Sequence, residues 1–181
     1  PKALSSLQYL CANNVKDTVG STTYTQMLNK DGGIEADLTI TCISKNKFRI
    51  ITGSGVREHD KKHILKFLDK NTKFSDITND YSCFGIFGPK SRELLTKIFD
   101  KKFETKEFPF GTGKEITFNG IPIWFQRLSY VGELGWELYI PMKEAKNIYN
   151  KIIENGAIFN IVHAGSHAMD IMRMEKGYLH W

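Results

Sequence analysis

Three short segments carry side chains suited to gripping a flat, polar heterocycle and moving a proton beside it. In the first, Asp37 stands in the mostly apolar run from Ile34 to Ile40. Turned inward it would be a general base or an anchor for a cation; turned outward it is an ordinary carboxylate in water. Tyr24 and Met27, upstream, are open in the same way, as ligand contacts or as core. In the second, Ser129-Tyr130-Val131-Gly132-Glu133-Leu134-Gly135-Trp136-Glu137-Leu138, two glycines bend the backbone around Glu133. Tyr130 and Trp136 offer flat faces. Glu137 could accept two N–H bonds from an amidine-like edge, as in a pterin or guanine. The same stretch also reads as a turn with an exposed glutamate. In the third, Asp170 to Tyr178, Arg173 is one of five arginines and sits among apolar residues. It could hold a carboxylate or a ring carbonyl, or it could be braced by Asp170 one turn earlier.

Other combinations carry less. His163 and His167 have metal-ligand spacing on a helix, but no HExxH glutamate or third ligand accompanies them. His59 and His63 share that spacing among lysines and suit a solvated face. Gly53-Ser54-Gly55 lacks the lysine of a phosphate loop, and Gly85-Ile86-Phe87-Gly88 reads as a tight strand–helix junction, not a dinucleotide fingerprint. Cys11, Cys42 and Cys83 are far apart and form no CxxC pair, which favours free thiols in a reducing compartment.

The 181 residues, 41% hydrophobic and 25% charged, are enough for a packed core. The net charge of +5 comes from 20 lysines and 5 arginines against 20 acids. Scattered lysines suit a solvated surface or a ligand with several carboxylates better than a nucleic acid, so neither nucleic acid nor membrane is expected as a partner. No apolar run approaches the roughly 20 residues of a membrane span, and no stretch of these residues reads as a signal peptide, a start at Pro1 leaving room for a targeting segment upstream.

These segments must be positioned by an α+β fold. Leu4, Leu7, Leu10 and Cys11 predict a short helix. Thr22–Leu28 and Ile34–Ile43 predict a hairpin around Lys30-Asp31-Gly32-Gly33, with a third strand at Phe48–Ile51. A helix is expected over Arg57–Lys70, a short strand at Phe74–Ile77, a strand at Tyr81–Phe87 and a helix through Leu94, Leu95 and Ile98. A second block holds a hairpin around Asn119-Gly120, with arms Glu115–Phe118 and Ile121–Tyr130. It continues with a strand over Gly135–Ile140 and helices over Met142–Glu154 and Ala164–Glu175. Lys101–Lys106 reads as the linker, giving units 1–100 and 107–181, both partial. A start at Pro1 and an end at Trp181 suggest truncation at both ends.

In order along the chain, TYTQMLNKDGGIEADLTI, FRIITG, FGIFGPKSRELL, FPFGTGKEI, SYVGELGWELYIP and DIMRMEKGY resemble the glycine-cleavage T-protein (aminomethyltransferase) family. The likeness is greatest to the form fused behind the flavin domain of dimethylglycine and sarcosine dehydrogenases. It implies a folate-binding aminomethyltransferase-type fold with split ferredoxin-like β/α units, and one-carbon transfer to tetrahydrofolate. Tyr24, Met27 and Tyr130 would line the pterin pocket, and Glu137 and Arg173 would hold the polar edge. Asp37 would be the acid near the reacting nitrogens; where the stand-alone T-protein reads Asp-Asp, this chain has Ala36-Asp37. FAD would belong only to a missing N-terminal domain. Expected partners are tetrahydrofolate, including its polyglutamylated form, an amine-derived one-carbon donor and a covalently linked flavin domain. The expected compartment is the cytoplasm in a bacterium and the mitochondrial matrix in a eukaryote. A stand-alone aminomethyltransferase or a non-catalytic folate-binding scaffold are the alternatives.

Overall fold

The computed structural model describes residues 2–181, and the chain divides into two compact units, Pro1–Asp76 and Ile77–Trp181. The first unit contains α1 (Lys2–Leu10), β1 (Thr22–Leu28), β2 (Ile34–Ser44), β3 (Lys47–Thr52) and α2 (Arg57–Phe67). Its three strands form an antiparallel meander in the order β1-β2-β3. Gly32 closes the first hairpin with φ 81°, and Asn29 Oδ1 accepts the amide protons of Asp31 and Gly33. Asn46 closes the second hairpin with φ 64°. Along β2, Ala36, Leu38 and Ile40 point to one face, where they pack with Leu7, Leu10, Val15, Met27 and Ile64. That side holds the unit's core, and the alternation sends Asp37 and Thr39 the other way.

The expected strand at Phe74–Ile77 does not form. Its place is fixed by side chains: Asp76 binds Arg57 at 2.9 Å and lies 3.7 Å from Lys61, and Phe74 packs on the first unit's core. Ile77 leads instead into a single 3-10 turn at Thr78–Asp80.

The second unit contains β4 (Tyr81–Phe87), α3 (Ser91–Phe99), β5 (Thr112–Phe118), β6 (Ile121–Arg127), β7 (Gly135–Pro141), α4 (Ala145–Gly156) and α5 (Ser166–Glu175). Its sheet runs β4-β7-β6-β5, with every neighbouring pair antiparallel. Asn119 and Gly120 turn the β5–β6 hairpin with φ 50° and 78°, the paired positive values a type I′ turn requires. Leu94, Leu95, Ile98 and Phe99 of α3 and Ile148 and Ile152 of α4 pack against Ile86, Phe125, Trp136, Leu138 and Ile140. Both helices thus cover one sheet face, and the other carries a mixed set that includes Trp124, Gln126, Glu137 and Tyr139.

The division expected after residue 100 falls at residue 76. β4 pairs with β7 along all its length, from Tyr81↔Pro141 to Phe87↔Gly135. Arg92 of α3 then binds the Phe103 carbonyl at 2.9 Å and Thr105 Oγ1 at 3.0 Å. Residues 81–106 are therefore fastened to the second sheet, and Lys101–Lys106 is internal to it.

Candidate functional site

In the first unit, β1 and β2 bring Tyr24 and Asp37 onto one face. Gln26 lies opposite Asp37 and Tyr24 opposite Thr39, so Tyr24 and Asp37 are diagonal neighbours. This is the face turned away from the unit's core. Asp37 is half-buried there, and its Oδ1 accepts a hydrogen bond from Gln26 Nε2 at 2.8 Å. The Tyr24 residue is 53% exposed. A carboxylate with a fixed orientation beside an accessible aromatic ring can receive a proton or face a cation.

Met27 does not join them. It pairs with Ala36 on the opposite face and is wholly buried in the core cluster. Odd and even residues of a strand face opposite ways, and Met27 has the core parity, apart from Tyr24 and Asp37.

In the second unit, strand β6 stops at Arg127 and a loop over residues 128–134 carries Tyr130. The loop is secured at two points. Leu134 O accepts Gly88 N at 2.8 Å and Ser91 Oγ at 3.0 Å. Gly132, at φ 79°, lies so close to the stem of Lys176 that an added Cβ would stand 2.3 Å from its Cγ. The loop is thus laid against the end of α5.

Arg173 projects from α5 into this junction. Its Nε donates to Asp170 Oδ1 at 2.7 Å and its Nη1 to the Tyr178 carbonyl at 3.1 Å, and the Tyr130 hydroxyl is within hydrogen-bonding reach. The Tyr178 carbonyl is available because α5 ends in a Schellman motif: Tyr178 N donates to Arg173 O, Gly177 N donates to Met174 O, and Gly177 takes φ 77°. The hydrogen bond to Arg173 is the main reason the Asp170 carboxyl titrates below its ordinary range, and Asp170 in turn holds the charge on Arg173. Beside this cluster an open cleft of about 340 Å³ is lined by Tyr130, Ser166, His167, Met169, Asp170 and His180.

Glu137 occupies a different place in the same unit. It lies on β7, between Gly85 of β4 and Gln126 of β6, on the sheet face opposite α3 and α4. It is half-buried, and burial raises its carboxyl pKa, with a hydrogen bond from Tyr139 partly opposing the rise. The structure therefore brings Tyr130 and Arg173 together and sets Glu137 on the sheet, outside the cleft lining. Trp136, the other flat face read from this segment, points into the core at 0% exposure.

Sequence reasoning missed Gln26, which orients Asp37, and the cleft residues Ser166, Met169 and His180. Ser166, Asp170 and Arg173 recur at helical spacing, and Gly177 signals the turn that follows; together these were the available cues. The paired histidines separate: His163 Nε2 lies 2.7 Å from the Tyr149 hydroxyl, and His167 lines the cleft.

The profile of the GCVT N-terminal domain matches residues 1–181. The chain belongs to that family. Its relatives include human mitochondrial sarcosine dehydrogenase, 33% identical over 99% of this chain and 21% of that protein. The aminomethyltransferase of Halothermothrix orenii is 32% identical over 98% of this chain and 50% of its own length. The chain thus spans about a fifth of one relative and half of the other. The crystal structure of the glycine cleavage system aminomethyltransferase T from Bartonella henselae superposes with a TM-score of 0.82 at 23% identity, covering 98% of this chain and 46% of that one. The GCVT fold is thereby established for both units described above.

Proposed function

We propose that this GCVT domain binds tetrahydrofolate and supports one-carbon transfer to it, as part of a sarcosine or dimethylglycine dehydrogenase-like protein. The observation that carries the reading is the Asp37 carboxylate, oriented by Gln26 on the accessible face of β1 and β2 with the Tyr24 ring diagonal to it.

The residues present suit such a ligand. Tyr24 and Tyr130 supply accessible aromatic faces, Glu137 a half-buried acceptor for an amidine edge, and Arg173 a guanidinium already held in place. Lysines scattered over the surface suit a tail bearing several carboxylates. When bound, tetrahydrofolate supplies the nucleophilic nitrogen that accepts the one-carbon unit. Asp37 acts on that nitrogen's proton or faces its positive charge, and the aromatic residues fix the ring and keep water away. An iminium or formaldehyde equivalent would come from a linked flavin domain; no residue of this chain is assigned to FAD. Such a protein would work in the mitochondrial matrix of a eukaryote or the cytoplasm of a bacterium.

The test is Asp37→Ala in the full-length protein. Flavin reduction by the amine should be unchanged, while formation of methylene-tetrahydrofolate should fall by about 10²–10⁴-fold, the usual cost of losing a general acid or base. An unchanged methylene-folate yield would remove Asp37 from the reaction. A protein that binds tetrahydrofolate but shows no single-turnover transfer would be the non-catalytic module instead.

A further inference from the structure

Glu137 does not stand alone on its sheet face. Two residues further along β7, Tyr139 points the same way and donates its hydroxyl proton to Glu137 Oε2 at 2.5 Å. Tyr139 is only 6% exposed, so its ring is held by its surroundings. Cys83, its cross-strand partner on β4, places its thiol within hydrogen-bonding reach of the same hydroxyl. On the other side, Gln126 of β6 faces Glu137 and accepts a hydrogen bond from Trp124 Nε1 at 3.2 Å. Opposite Glu137 on β4 stands Gly85, an exposed residue, and the Phe87 ring takes the space a side chain there would fill: a Cβ added at Gly85 would stand 2.5 Å from Phe87 Cε2. The oxygen that Tyr139 takes is Oε2.

We infer that Tyr139 is a positioning residue for ligand recognition: by binding Oε2 it fixes the plane of the Glu137 carboxylate and leaves Oε1 to accept an N–H of a heterocycle bound at this sheet face. This rests on the folate reading above. A carboxylate on its own rotates about its last bond, and a ligand must then stop that rotation on binding. With one oxygen taken by a buried phenol, the rotation is stopped beforehand and the second oxygen has a defined direction. The same bond favours the ionised carboxylate against the burial that disfavours it. Loss of the phenol therefore has two separable effects: weaker binding, and a carboxylate that takes up its proton at higher pH.

The experiment is titration of tetrahydrofolate into the full-length protein and its Tyr139→Phe and Glu137→Gln variants, from pH 5 to 8, with circular dichroism and thermal unfolding as checks on folding. Tyr139→Phe keeps the ring and its packing. It should bind about tenfold more weakly at pH 7, in line with a hydrogen bond to a charged group. Its acid limb, where binding fails as Glu137 is protonated, should move to higher pH. Glu137→Gln should bind weakly with no such limb. A folded Tyr139→Phe variant with unaltered affinity and an unmoved acid limb would overturn the role given to Tyr139 while leaving the folate reading intact. Absence of tetrahydrofolate binding by the unaltered protein would overturn that reading and this one with it.

Discussion

Asp170 and Arg173, one turn apart on α5, meet through a 2.7 Å hydrogen bond from Nε to a carboxylate oxygen. The bond leaves Nη1 to the Tyr178 carbonyl, with Tyr130 close by. One planar fork thus ties a helix to the turn that ends it. A lysine carries the same charge but only one nitrogen and cannot hold that arrangement. Arg173→Lys is therefore expected to weaken tetrahydrofolate binding by about tenfold or more, with a small fall in the thermal midpoint, because Asp170 is half exposed and its pairing is screened by water. Titration calorimetry beside a melting curve separates the two effects. A large drop in the midpoint with unaltered affinity would make the fork a purely structural brace.

Gly135 opens β7, paired with Phe87 of β4. A Cβ there would stand 2.4 Å from the Ile86 carbonyl oxygen and 2.3 Å from Phe87 Cδ1. The backbone oxygen cannot swing aside as a side chain can. Gly135→Ala should cost about 1–3 kcal/mol or more, as overpacking does, read from the urea midpoint at unchanged m. Gly55, whose added Cβ would meet nothing within 4 Å, is the control, and its alanine variant should stay within about 0.5 kcal/mol of the parent.

The first unit contains a pH-dependent brace. His59 Nδ1 lies 3.0 Å from Asp60 Oδ1, and its Nε2 lies 3.3 Å from Glu35 Oε2. Asp60 is 1% exposed and also accepts a hydrogen bond from Thr52. The hydrogen bond with Asp60, ahead of the other influences, raises the His59 pKa above 6.5. A raised cationic group contributes stability that is complete below its unfolded value and is lost as pH rises through the folded one. The unit should therefore lose stability from pH 6.5 upward, and His59→Gln should flatten that limb. Urea midpoints between pH 5.5 and 8.5 test it; parallel curves for parent and variant would show that the imidazole adds nothing.

Some of this architecture was plain in the sequence because local chemistry and burial agree there. Ala36, Leu38 and Ile40 alternate with polar residues along β2, and Asn119-Gly120 supplies the two positive φ angles its turn needs. Strand β1 was harder. Its core face carries Thr23, Thr25 and Met27, and its outer face Tyr24, Gln26 and Leu28. Hydrophobicity alone cannot choose between those faces. The inward threonines are tolerated because Thr25 Oγ1 accepts Asn13 N at 3.0 Å and Thr23 Oγ1 accepts Lys16 N at 3.1 Å. Those long-range hydrogen bonds decided the placement of Met27, and no pattern within β1 announces them. The cleft beside α5 was unreadable for a related reason: His180 reaches Tyr130 and Asp170 only after the reversal at Gly177.

That reversal also has a practical consequence. Because the backbone doubles back and lends the Tyr178 carbonyl to Arg173, displacement of the guanidinium is transmitted to residues 178–181. Trp181, 54% exposed, sits at the far end of this short lever. Of the chain's three indoles, Trp124 and Trp136 are buried, so an aqueous quencher reaches Trp181 first and reads events at the arginine through it.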